Sequence, residues 1–489
     1  MPKSPWSHRC LTAALAATLS TLAGCGEDET PPDDTPSTQA KLRVIHASSD
    51  APAVDIYAEG QTTPIFTNVK YGDTTAYATV PAGTYNVQVR AAGALATSAP
   101  VYSTGPLVLG TGHTVSAVAA GLLASSDATR AFRVLPLTEG FNPPADGKTR
   151  VRIVHAGADA PTVSIDVGDD GTSEVTGLQR FQDTGATGVE LPSGQSLQVG
   201  IRTATNEKVT AFTVPALPSR GEVFVIATGQ LSQKASAPAG FGLLAAGVGL
   251  VRQNPVVYAL HASPDAPAVD LFVGTTELVD DLTFGELSTP IQVPPGSYTL
   301  DFFANVAGGT RPASAPAASR ATPALVAGER YLALAGGFLS PSRDDPADST
   351  FELLAFSEGF ASDANNLRLR VVHASPDAPM VDVSPLEGGL VPTNAAFNDV
   401  PYRRASAAEG AAIPSLTAVV VGVSASAASE RSPVARFQLD TSAFVGRGVF
   451  AVAAGALSPT PGESEAGFRL VLVDTSTSPW SAINVHPLP

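Results

Sequence analysis

The chain is predicted to be all-β, built as four antiparallel sandwich modules in tandem. Three observations carry that expectation. The segment VIHASSDAPAVDIY from Val44 returns as IVHAGADAPTVSID from Ile153, ALHASPDAPAVDLF from Ala259 and VVHASPDAPMVDVS from Val371. Its histidines, His46, His155, His261 and His373, are spaced by 109, 106 and 112 residues, so one unit is repeated four times. Within each unit the apolar runs are short, alternate with period two and are rich in Val, Leu, Tyr and Phe. Turn signals break them about every 8–12 residues, as in Pro81-Ala82-Gly83 before TYNVQV and Pro294-Pro295-Gly296 before SYTLDF.

The N-terminus reads as a secretory segment. Lys3, His8 and Arg9 form a basic start, and Leu11 to Leu22 is uncharged and apolar or small. That run is too short for a bilayer, which needs about 20 residues, but suits a signal core. Leu22-Ala23-Gly24-Cys25 follows and resembles the lipobox of bacterial lipoproteins. The resemblance implies cleavage before Cys25, acylation of its thiol and usually of the new amino group, and a signal peptide at 1–24. Several acyl chains anchor stably where one does not, at about 0.8 kcal/mol per buried CH₂. Residues 25–40 are acidic and proline-rich, and read as a tether. Gly26 stands where an Asp retains enterobacterial lipoproteins in the inner membrane. The expected address is therefore the outer membrane, facing the periplasm or the cell surface. Cys10 is lost with the signal, so the mature chain holds no cysteine besides Cys25. Disulfides, thiolate zinc sites and cysteine nucleophiles are thereby excluded.

Four modules follow, at 41–141, 148–248, 255–360 and 366–475, with 476–489 as a C-terminal tail. Each opens on the histidine motif. Each carries a second landmark further on: VAAGLL, IATGQL, LAGGFL or VAAGAL, centred on Gly121, Gly229, Gly337 and Gly455. Each closes on a strand-like piece beginning at Phe132, Phe241, Phe351 or Phe468. Some seven strands in about 100 residues point to an immunoglobulin-like sandwich, with a partly open barrel as the alternative. Each unit has its own start, turn and end, so the four are expected to fold separately, like beads on a string.

The HASPDAP-x-VD motif resembles the domain-of-unknown-function family 4397 of secreted and surface proteins. The resemblance covers about 42–475 and implies secretion and a β-rich fold, with no activity or ligand. Module two departs from it at Ser164, with Asp166 two residues later, and module four lacks the Pro-x-Gly turn at Ile413-Pro414-Ser415. Leu42, Val44 and His46 share one strand face, which places the histidine at a core corner. The turn Asp50-Ala51-Pro52 and its counterparts come next. An Asp there is expected to accept a backbone N–H two residues on. The histidine is expected to bond to the turn or to the Asp of the VD pair.

A metal reading uses the same groups, because histidine with carboxylates can hold zinc or manganese. Its candidates are His46, Asp50 and Asp55; His155 and Asp159; His261, Asp265 and Asp270; and His373, Asp377 and Asp382. A carbohydrate could use the same turns. The structural role is preferred, so no metal or other cofactor is expected. Other patterns are decoys. Gly147-Lys148-Thr149 ends like a phosphate loop, but Asn142 stands where its first glycine belongs. Asp166, Asp170 and Gly171 match part of a calcium loop, whose other positions hold Gly168 and Gly177.

A net charge of -16 argues against nucleic-acid binding, which needs a basic stripe. The expectation is a membrane-anchored envelope protein with a binding, adhesion or structural role and no enzymatic activity. Its partners would be the membrane through Cys25 and a surface glycan or envelope protein. A hydrolase with its chemistry in one module is the disfavoured alternative.

Overall fold

The computed structural model describes residues 38–489 apart from 307, 343, 344, 427, 429 and 460–465. The signal segment, Cys25 and most of the tether lie outside the described residues. Among the described residues there are nine sheets, mostly antiparallel, none closed into a barrel. They contain no α-helix, and no helix long and apolar enough to cross a membrane.

Module one shows the plan. Its strands are β1 (Gln39–His46), β2 (Val54–Ala58), β3 (Phe66–Val69), β4 (Ala78–Pro81), β5 (Gly83–Tyr85), β6 (Val87–Ala91), β7 (Tyr102–Ser103), β8 (Leu107–Leu109), β9 (Thr114–Ala120) and β10 (Arg133–Thr138). One sheet runs β10-β9-β1-β4 and the other β3-β2-β6-β7, with β5 and β8 as a separate ribbon. Alternation along β1 sends Ala40, Leu42 and Val44 between the sheets, against Val54, Ile56, Val87, Val89 and Val115. One pair is parallel: β1 lies beside β9, with Lys41 opposite Thr114 and His46 opposite Ala119. The chain enters this sheet twice from the same end, separated by the whole second sheet. The same parallel pair recurs at 150–155 with 222–227, 256–262 with 330–336 and 368–373 with 448–453.

The modules are not beads. Ile45, Val118 and Leu137 point out of the first sandwich and form one buried cluster with Val154, Phe224, Ile226 and Leu244 of the second. Leu260, Leu332 and Leu334 of the third do the same with Val372, Phe450, Val452 and Trp480 of the fourth. The parallel-paired sheet of each module is therefore covered on both faces. This explains VFVIA at 223–227, LALA at 332–335 and VFAVAA at 449–454, apolar runs without the polar alternation of a wetted sheet. Arginines from the motif strands line these interfaces. Arg43 and Arg152 both lie over the Phe224 ring, at 5.4 and 5.6 Å, and Arg370 lies 5.5 Å from the Phe450 ring. Module three has Tyr258 at that place, stacked on Trp480 at 4.3 Å.

Two boundaries move accordingly. Gly249–Arg252 is a further strand of module two, beyond the expected end at 248. Ser481–Val485 pairs with Arg469–Asp474, and Trp480 before it is buried, so 476–489 is not a free tail.

Candidate functional site

The motif turns come first. His46 Nε2 donates to the Pro52 carbonyl at 3.2 Å, and the Ser48 amide reaches Nδ1 at 3.4 Å. With Nδ1 accepting, the proton sits on Nε2 and the ring is neutral. His155, His261 and His373 make the same bond to Pro161, Pro267 and Pro379 at 2.8, 3.0 and 2.9 Å. All four rings are buried. Burial pushes their pKa values down, and the proline carbonyl opposes it only in part. The partner is thus the turn, not the Asp of the VD pair.

The turn aspartate does not bond two residues on. That residue is proline, which has no N–H. Asp50 instead accepts from the Leu123 and Ala124 amides at 2.8 and 2.9 Å, across the module. Asp159 takes Leu231 and Ser232, Asp265 takes Leu339 and Ser340, and Asp377 takes Leu457 and Ser458, all within 2.6–2.9 Å. The two landmarks of the repeat are therefore one contact. Ser48, Ser263 and Ser375 reinforce it by donating to the carbonyls of Gly121, Gly337 and Gly455 at 2.6–2.7 Å. Those glycines and Gly229 have φ of +80 to +90°. A Cβ at any of them would also overlap a backbone carbonyl oxygen, that of Ala131, Gly240, Thr350 or Gly467.

The second aspartate does a different job. Asp55, Asp270 and Asp382 each accept the amide of a residue held at positive φ: Asn68, Asp281 and Asp399, at 2.7–2.9 Å. The carboxylate pins a left-handed backbone that these side chains adopt at some cost. In module two that residue is Gly177, which needs no pin. This explains why Ser164 can stand in for the aspartate there. The signal lay in the sequence as Asn, Gly, Asp and Asp before a buried Val or Leu, and sequence reasoning missed it. Asp166 turns elsewhere, to the Gly171 amide and to Arg202 Nε at 2.8 and 2.6 Å.

The proposed ligand sets therefore do not converge. In each module the histidine and the first aspartate serve separate backbone segments. In modules one, three and four, Asp55, Asp270 and Asp382 serve a third. One carboxylate grouping has ligand-like spacing among the described residues: oxygens of Asp270, Glu277 and Asp280 lie within 4.8 Å of one another. Desolvation, then Asp280 and Asp270, push the Glu277 pKa up.

A larger feature lies where modules two, three and four meet, a cleft of about 940 Å³. Glu358, 5% exposed, forms its floor. Arg330 of module three grips it through two hydrogen bonds, at 2.6 and 2.8 Å. Thr475 of module four donates at 3.1 Å, and Lys234 reaches over from module two at 2.9 Å. Burial opposes the charge on Glu358, but Arg330 and then Lys234 outweigh it and hold the carboxyl below its usual range. Along one wall, Gln292 donates to Thr210 and to the Asn254 carbonyl, which ties module three to module two.

The sequence profile of a domain of unknown function, DUF4397, matches residues 40–166 and 255–384, over half of the chain. The protein belongs to the DUF4397 family. No curated protein matches it. Among solved structures, the Bacillus anthracis TIE protein aligns with 92% of this chain and 66% of its own, at 9% identity and a TM-score of 0.14. Each DUF4397 match begins at an odd module and runs through the motif of the next. The spatial pairing of modules one with two and three with four has the same period.

Proposed function

We propose that this DUF4397 protein is a lipid-anchored outer-membrane lipoprotein, facing the periplasm or the cell surface, with a non-enzymatic binding or structural role. The observation that carries the reading is Leu22-Ala23-Gly24-Cys25 behind an uncharged apolar core. The motif geometry supports the non-enzymatic part. The repeated histidines and aspartates are committed to backbone partners, so their recurrence is accounted for by folding. A ligand such as an envelope glycan or protein would then be met by surfaces between modules, where four linked units act together. Growth with labelled palmitate tests the anchor. The wild type takes up label and stays with the membrane, whereas Cys25→Ser loses both. Equal labelling of the variant refutes the reading.

A further inference from the structure

We infer that the cleft between modules two, three and four is a binding site for a neutral, hydroxyl-rich ligand, a short oligosaccharide. This rests on the binding role proposed above and gives it a place and a ligand class. Size and position come first. Small-molecule sites occupy roughly 300–1,000 Å³ and favour domain junctions; this cleft measures about 940 Å³ and three modules wall it.

Charge selects the ligand. Five basic side chains line the cleft, and four carboxylates pair with them: Glu358 with Arg330 and Lys234, Asp363 with Arg368, Asp474 with Arg447 and Asp169 with Lys208. Glu329, also on the wall, balances the remaining positive charge. A charged ligand would lose its water and meet no net opposite charge across the walls. A neutral ligand escapes that cost. Hydroxyls both donate and accept, and the walls mix donors with acceptors throughout. Gln233, Ser362 and Ser476 are exposed on the walls and bring an amide and two hydroxyls to the cleft. The walls are held before any ligand arrives, by the bonds of Glu358 and of Gln292 to three modules.

Calorimetric titration of the full mature chain in detergent tests the inference. The probes are neutral oligosaccharides of glucose, of mannose and of N-acetylglucosamine, with an oligogalacturonate as the charged comparison. Gln233→Trp and Ser476→Trp each push an indole into the cleft, from module two and from module four. The expected result is binding of a neutral probe that both variants weaken at least tenfold while their melting profiles match the wild type. Preference for the oligogalacturonate, or no binding of any neutral probe, overturns the inference. Undiminished binding in two folded variants overturns the cleft alone and leaves the binding role standing. Failure of palmitate labelling would sink the anchor without bearing on the cleft.

Discussion

Replacing Asp265 by alanine tests whether the motif turn is a staple of the fold. The change removes two short charge-assisted bonds, from the Leu339 and Ser340 amides, both at 2.7 Å, and a longer one from the Ser263 hydroxyl at 3.2 Å. Such bonds are each worth about 1.5–3 kcal/mol. Leu339 is half-buried, so its orphaned amide keeps most of that loss, while water reaches exposed Ser340 and recovers part of it. The expected cost is about 3 kcal/mol. Module three shares an apolar cluster with module four, so the pair should melt as one unit. For a unit of that size each kcal/mol moves Tm by about 2–4 °C, and the predicted fall is therefore about 6–12 °C. Scanning calorimetry of the full mature chain should show it in one transition, that of modules three and four, and leave the transition of modules one and two in place. Asp265→Asn keeps one acceptor and should fall between. Chelator should leave the wild-type profile unchanged. A Tm within a degree of wild type, or a chelator-induced drop that Asp265→Ala abolishes, would refute the staple and favour a ligand site.

Three further outcomes follow from the same geometry. Gly337→Ala forces a side chain into the Thr350 carbonyl at a φ of +88°, and should cost more than about 3 kcal/mol in the same transition; a neutral effect by denaturant titration would contradict the close approach. Leu334→Asp buries an unpaired charge between modules three and four and should lower their transition by roughly 4 kcal/mol or more, while modules one and two are unaffected; unchanged melting would mean that the pair does not form in solution. The four motif histidines have folded pKa values below their unfolded value near 6.5, so the unfolded chain takes up protons first as pH falls. Stability should hold above that pH and decline below it, by at most about 1.4 kcal/mol per pH unit for each histidine; melts at pH 7.5 and 5 that differ in neither pair would rule this out.

The repeat, the β class and the histidine at the core corner were legible because each rests on local pattern. Period-two alternation ties His46 to Leu42 and Val44 whatever the tertiary fold. The partners of the aspartates were not legible. Asp50 meets Leu123 and Ala124 after the chain has built the second sheet, and turn rules speak only of near neighbours. Even the local rule failed where Pro52 removed the N–H it required. The paired modules left a trace that could have been read. Val223–Ala227 and Leu332–Ala335 lack polar alternation, which a sheet with one wet face would show. Trp480 was hidden by its surroundings, since the polar Ser476–Ser478 before it reads as the end of a domain.

Pairing changes what the four copies mean. The first sheet of each module carries apolar residues on both faces, and a lone module would leave one of them in water. Phe224, Leu332, Leu334 and Phe450 are fully buried only because a neighbour covers them, at about 1.5–3 kcal/mol for each such side chain. The structural unit is accordingly two modules that share a buried cluster, and two such units follow in tandem. The joints differ in the same sense. Modules within a unit meet chiefly through apolar clusters, with Arg43, Arg152 and Arg370 beside them, whereas the two units meet through Thr210, Gln292, Lys234 and Glu358 around an open cleft. An apolar joint fixes its halves by excluding water. A polar joint with room for solvent keeps hydrogen-bonding groups within reach of a third party. The proposed ligand cleft lies at that polar joint, and not at either apolar one.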